Sequence, residues 1–406
     1  MQVLHSEDAS VPPLFYKYFS DLTPEQIQRY DSAGGEMDQR FAGQRGTLLG
    51  VTIPYCGPWF NPNGEERPKQ CLLKLYDDQA RQLKLNDVVT VIGHLEFNRK
   101  VASEDAQMQD AAGDSEVELR TDIPNDHLLP HLHVLAMRQN QRMHTHPLLK
   151  KADAKSQLVV ENSQSLKETK GRLLAVFKLL LNGDAFAAEY LLLSWLARVH
   201  TRKDSFIIGH LPINLTNITF LQGRHLLKFL QSITPLLCPL PLSIENLSQT
   251  RFSPKKNYDT NILEQGQLQF IDGTLVVADE TVLKEGMIMG EGVSNIKALA
   301  TLAEQQIVEY DFQYYQQSYP VNAGIIILSD GRSMFKNTLQ VPVGLGKAAG
   351  PPPFDESNFH QWLTLARLEA VSEGSMQLGK EVFDRARELE RERLVRVALS
   401  VQKAAV

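Results

Sequence analysis

From residue 47 onward, short apolar runs alternate with turn-forming clusters, the pattern of β-strands. Residues 47–54 form a run ended by Pro54, and a Gly/Pro/Asn-rich turn follows over 57–64. Cys71-Leu72-Leu73-Lys74-Leu75-Tyr76 and Val88-Val89-Thr90-Val91-Ile92-Gly93 predict two more strands, and Leu132-His133-Val134-Leu135 predicts a last one. Several short strands divided by polar turns suit a small barrel or sandwich. Between them, residues 103–118 carry six carboxylates and no basic residue, which predicts a solvated loop. A polar linker is expected over 139–165.

The texture then changes. Asp184 is placed to cap a helix that carries Phe186, Tyr190, Leu193 and Ala197 on one face. Strand-like runs follow at 206–208, 211–215, 242–244, 274–278 and 323–328, with a helix at 222–233. Runs that are almost wholly apolar suit strands covered on both faces. Their alternation with helices predicts an α/β layer with a mostly parallel sheet. A Gly/Pro-rich break covers 344–353, and two helices are expected at 358–372 and 378–401, the second with Leu378, Val382, Ala386 and Leu389 at helical spacing. The fold class is therefore α/β. Its expected parts are a small β domain over 1–138, the linker, an α/β core over 166–342, and a break with C-terminal helices over 343–406.

Composition narrows the function classes. The chain has 406 residues, 43% hydrophobic and 22% charged, which excludes disorder as its main state. A net charge of −6 gives no overall footprint for nucleic acid or anionic lipid, although a local basic face is compatible with it. Three scattered cysteines, Cys56, Cys71 and Cys238, make neither a disulfide framework nor a zinc knuckle and suit a reducing compartment. No signal peptide is read at the N-terminus, and the most apolar stretch, 173–181, is short of the roughly 20 residues that span a bilayer. A soluble, intracellular protein is expected, with Asn-X-Ser/Thr triplets at Asn214, Asn217 and Asn246 arising by chance.

The sharpest chemical signal is Thr274-Leu275-Val276-Val277-Ala278-Asp279-Glu280. Two carboxylates ending a buried strand sit where a Walker B motif places the Mg²⁺-holding Asp and the water-polarising Glu. The matching phosphate loop, G-x-x-x-x-G-K-[ST], is absent. The strand–loop–helix in its place, Leu211-Pro212-Ile213-Asn214-Leu215-Thr216-Asn217-Ile218, has no Lys and no glycine in the turn. The Gly-Lys pair at Gly346-Lys347 lacks the upstream Gly and the hydroxyl residue. Triphosphate charge would go uncompensated, so no cofactor is expected. His131 with His133, and His144 with His146, lack the companion ligands of a metal centre, so none is expected. Arg251, Lys255 and Lys256 could touch phosphate but suit a solvated loop, and Tyr76, Phe97 and Trp59 suit the core of a small barrel better than base stacking.

Further stretches carry a family likeness. In order they are Cys71-Leu72-Leu73-Lys74-Leu75-Tyr76-Asp77 with Leu85-Asn86-Asp87-Val88 and Gly93, Leu132-His133-Val134, and Gly183-Asp184 with Ala187-Ala188-Glu189-Tyr190-Leu191. Downstream follow Thr201-Arg202-Lys203-Asp204, residues 212–215, Ile244-Glu245-Asn246, Tyr258-Asp259-Thr260-Asn261, residues 276–281, Tyr310-Asp311-Phe312 and Ser329-Asp330-Gly331-Arg332-Ser333. Across about 47–335 the chain resembles the minichromosome maintenance (MCM) complex-binding protein family, eukaryotic partners of the replicative helicase subunits.

A remoter likeness joins Leu263-Glu264-Gln265-Gly266-Gln267-Leu268, Asp272-Gly273 and Ala278-Asp279-Glu280 to the helicase ATPase module. Leu365-Ala366-Arg367-Leu368-Glu369 with Leu378 and Val382 resemble its helical lid. The resemblance implies an OB-like domain followed by a degenerate AAA+-like core. Ser329 stands near the place of a sensor Asn, His360 at the place of a lid Arg, and Asp279 with Glu280 become a vestigial pair. It further implies a non-catalytic nuclear protein that binds helicase subunits, acts in their assembly or unloading from chromatin, and so bears on DNA replication, the cell cycle and sister chromatid cohesion. Direct nucleic-acid binding and membrane association are not expected. Two rivals remain open: an active ATPase, suggested by Asp279-Glu280, and a single-strand nucleic-acid binder, suggested by the OB-like pattern. The chain is shorter than the family before the Cys71 strand, which leaves open a truncated start or an incomplete first domain.

Overall fold

A computed structural model describes residues 2–4, 14–16, 45–57, 69–76, 83–96, 129–139, 163–203, 206–258, 262–288, 290–331, 333–335, 338–344, 359–375 and 377–404. The chain divides into two compact units, one comprising 1–52 with 68–139 and the other 53–67 with 140–406. The expected acidic loop at 103–118 and most of the 344–353 break lie outside the described residues. So does most of the 139–165 linker.

In the first unit, β1 (Gln2–Leu4) pairs antiparallel with β2 (Leu14–Tyr16). β3 (Arg45–Val51), β4 (Gln70–Tyr76), β5 (Val89–Glu96) and β6 (His131–Gln139) form a second sheet in the order β3-β4-β6-β5. The β4–β6 pairing is parallel and the other two are antiparallel. Leu73, Leu75 and Val134 form its buried centre. The β5–β6 ladder slips at Ile92/Gly93, and a Cβ on Gly93 would lie 2.1 Å from the His133 carbonyl oxygen. Only glycine lets the backbones approach this closely at the bulge.

The second unit opens with α1 (Ser163–Leu180) and α2 (Ala185–Leu196), and Asp184 caps α2 by accepting from the Phe186 and Ala187 N–H groups. A short antiparallel ribbon, β7 (Thr201–Lys203) with β8 (Phe206–Ile208), leads to β9 (Ile213–Thr216) and α3 (Phe220–Ile233). The next strand is β10 (Leu237–Pro241), not the predicted 242–244. Ser243 instead caps α4 (Ile244–Gln249) by accepting from the Asn246 N–H. The two prolines of β10 disguise a strand, and they are tolerated because it lies at the sheet edge.

β11 (Lys255–Asn257) and β12 (Ile262–Glu264) precede β13 (Leu275–Asp279), which leads into α5 (Glu291–Gln305). β14 (Ile307–Asp311), β15 (Gln316–Pro320), β16 (Gly324–Leu328) and β17 (Leu339–Pro342) follow, and α6 (Phe359–Ser372) and α7 (Lys380–Ala404) close the described chain. Strands β12, β11, β14 and β15 make a small side sheet. The main sheet, β10-β13-β16-β9-β17, is parallel throughout.

β13 and β16 are buried along their whole length, as strands covered on both faces must be. One core layer joins Ile213, Leu215, Val277 and Ile326 to helices α1, α2, α3, α6 and α7. The other joins Val276, Ala278, Ile325 and Ile327 to α4, α5 and the side sheet. Among the described residues no helix is long and apolar enough to cross a membrane.

Candidate functional site

In an open parallel sheet the favoured ligand site lies beyond the C-terminal strand ends, where neighbouring strands send their connections to opposite sides. Here that place lies between β9 and β16. β9 leads through α3 to the β10 edge, while β16 leads the other way to β17. Asp279, Glu280, Ser329 and the β9–α3 turn all stand along this edge, so the fold gathers the residues that the sequence singled out.

Their side chains, however, are engaged within the chain. Asp279 Oδ1 accepts from the Thr281 N–H at 2.9 Å and from the Thr281 hydroxyl at 2.6 Å, shaping the turn that follows β13. Glu280 Oε1 accepts from the Ser333 hydroxyl and the Met334 N–H, both at 3.1 Å, and so ties down the loop that leaves β16. Burial pushes the Glu280 carboxyl above its ordinary value, while those two hydrogen bonds pull it down. Both acids are buried, at 6% and 8% exposure. Ser329 donates to Asn214 Oδ1 at 2.9 Å, and the Asn214 amide nitrogen, also buried, has no hydrogen-bond partner among the described residues.

The β9–α3 turn is Asn217-Ile218-Thr219, much shorter than a loop that wraps phosphates. Asn217 takes a left-handed conformation (φ 64°), which Asn tolerates, and its amide donates to the Val343 carbonyl at 2.8 Å. Thr219 and Gln222 form a reciprocal capping box that occupies N–H groups at the start of α3. A helix N-terminus in this position is an anion site only while its N–H groups are free. The turn is thus built to hold itself and β17.

The remaining candidates are dispersed. His360 is exposed on the first turn of α6. Arg251 pairs with Glu264 at 2.7 Å and Lys255 with Asp311 at 3.8 Å, so two members of the basic cluster are bound to acids of the side sheet. His131 is buried, while His133 bridges Tyr76 and Glu96. Among the described residues, no group of three or more His, Cys, Asp or Glu side chains could hold a metal ion. Tyr76 is buried in the first unit, not open for stacking; Trp59, Phe97, His144, His146 and Gly346-Lys347 lie outside the described residues.

One joint was not foreseen. Besides capping α2, Asp184 accepts through Oδ2 from the Gly344 N–H at 2.9 Å and from Arg396 of α7 at 2.7 Å. The Arg396 guanidinium also lies 4.1 Å from the centre of the Phe186 ring. Further along, Tyr190 donates to Glu390, which also accepts from Arg393, and Arg393 donates to the Gln340 carbonyl of β17. The helix pair that the resemblance treats as a lid is therefore fastened to α2 and β17 by buried polar contacts. Asp184 was legible as a cap, but its partners lie 160 and 212 residues away, beyond any local pattern.

Comparison with known proteins agrees with the residue likeness. A family model described as Mini-chromosome maintenance replisome factor matches residues 58–350 and 346–397. The mini-chromosome maintenance complex-binding protein of Gallus gallus is 34% identical over 327 residues, covering 77% of this chain and 51% of the relative. Its Homo sapiens counterpart is 34% identical over 316 residues, covering 74% and 48%. The Arabidopsis thaliana protein is 36% identical over 268 residues, covering 65% and 44%. The chain spans about half the length of the curated relatives it matches. With the family model covering most of its length and relatives of one name in animals and a plant, the chain belongs to the mini-chromosome maintenance complex-binding protein family.

Proposed function

We propose that this chain is a non-catalytic nuclear binding protein of the MCM helicase subunits that supports their assembly or their unloading from chromatin. Through the helicase it would bear on replication and sister chromatid cohesion. The relatives' shared name supports the partner. One structural observation carries the non-catalytic part: the acids and the helix start at the sheet's C-terminal edge are bonded to their own chain. Glu280, the residue that would polarise water in an active relative, instead holds the loop after β16.

The AAA+-like reading draws support from the parallel sheet, from an acid pair ending one of its inner strands, and from a helix pair after its last strand. For the OB-like reading, the support is a bulged sheet of short strands in the first unit. The test is co-purification with tagged full chain from its own cells at low salt. Helicase subunits in the eluate are the expected result; their absence would refute the reading. Steady ATP turnover by the purified chain, abolished by Glu280→Gln, would replace it with the ATPase reading.

A further inference from the structure

On a chain of net charge −6, one exposed face is cationic. Helix α3 has no acidic residue, and Phe220, Leu221, Arg224, Lys228 and Gln231 recur at helical spacing on its exposed side. Phe220 is 48% and Leu221 61% exposed, and the Arg224 guanidinium lies 5.7 Å from the centre of the Phe220 ring. Inward, Gly223, Leu226 and Leu230 are buried. Among the described residues, the outer stripe is thus an exposed patch turned away from the core.

Helix α1 extends it. Phe177 of α1 meets Phe229 of α3 edge to face, with 5.8 Å between ring centres. Lys178 follows Phe177 and Lys228 precedes Phe229, each about 100° round its helix, so both exposed cations stand beside this contact, whereas the 78% exposed Leu179 lies on the far side of α1. The exposed charged residues of α1 are Lys167, Glu168, Arg172 and Lys178, three cations to one acid.

We infer that this α1–α3 face docks an acidic segment of the helicase partner, one that carries large aliphatic side chains between its carboxylates; the inference rests on the function proposed above. Charge complementarity selects the acidic occupant. The exposed Leu221 selects protein over nucleic acid, because a phosphate backbone offers nothing to cover it. The protein's overall negative charge also opposes long-range attraction of a polyanion, whereas a short acidic segment meets mainly the local field.

The test titrates purified helicase complex against labelled full-length chain over a range of salt. Arg224→Glu with Lys228→Glu should weaken binding by about tenfold and flatten its salt dependence, as loss of rim charges does. Leu221→Ser should weaken binding by about threefold without changing the salt slope. The paired reversal Lys297→Glu with Arg387→Glu, exposed on α5 and α7, should leave affinity unchanged. If the double reversal on α3 fails to fold, Lys228→Glu alone carries the same expectation at about threefold. Wild-type binding that all α3 variants share overturns this proposal and leaves the helicase reading standing. No binding by the wild type overturns both. A labelled oligodeoxythymidine bound by the wild type and released by the reversal assigns the face to nucleic acid, against the inference.

Discussion

Substituting Asp184 probes the joint that fixes the C-terminal helices. The carboxylate accepts from two N–H groups of α2, from Gly344 after β17, and from Arg396 of α7, and both charged side chains are about 5% exposed. Asp184→Ala removes the cap, worth about 1 kcal/mol. It also strips one partner from a buried ion pair, which costs about 3–5 kcal/mol. Arg396 retains Glu392 at 2.8 Å and the Phe186 ring, so the lower end applies and the total is about 4 kcal/mol.

For a unit of this size that total lowers Tm by about 7 °C. Asp184→Asn keeps an acceptor for the cap and loses only the charge, so about half that loss is expected. Denaturant melts with an unchanged m-value would assign the loss to the folded state. A double-mutant cycle with Arg396→Met should return a coupling of at least about 1 kcal/mol. A loss below about 1 kcal/mol for Asp184→Ala, or equal losses for Ala and Asn, would refute the reasoning. The lid-like pair would then be free to move, as a nucleotide-gated lid must.

Three other outcomes follow from the same structure. The folded state holds the Glu280 proton more tightly than the unfolded chain, so its contribution is full below pH 4.5 and fades as pH rises through the raised value. Glu280→Gln should therefore gain stability relative to wild type with rising pH in parallel urea melts; a gap that closes instead would contradict the burial argument. Gly93→Ala puts a methyl against the His133 carbonyl and should destabilise the first unit by about 1–3 kcal/mol, read by hydrogen exchange of β5 and β6. Cys238 is buried and its thiol is pushed up to about 12, so iodoacetamide at pH 8 should label Cys56 and Cys71 well before it, checked by peptide mass spectrometry.

The strands legible in the sequence were those with mostly apolar runs. Residues 71–76 read as a short strand between turn clusters, and 274–278 and 323–328 as strands covered on both faces because they are almost wholly apolar; each was found within a residue or two. Leu237–Pro241 hid behind its prolines, and Ser243 turned the following apolar run into a helix. Strands β14 and β15 went unread because a side-sheet hairpin of mixed polarity gives no such run. Helix α1 was noticed only for its apolar end, since six of its residues are charged or glycine. At the candidate site the acid pair was legible, but its use was not. Ser333, Met334 and Thr281 are ordinary loop residues whose role appears only once β13 and β16 lie side by side.

The proposed association with the helicase needs no nucleotide chemistry by this chain. Equilibrium binding of the purified full chain to purified helicase subunits, repeated in EDTA without nucleotide and with Glu280→Gln, is the decisive measurement. Saturable binding that survives both changes is expected. No binding, or binding that requires Mg²⁺-nucleotide and is lost in Glu280→Gln, would overturn the proposal.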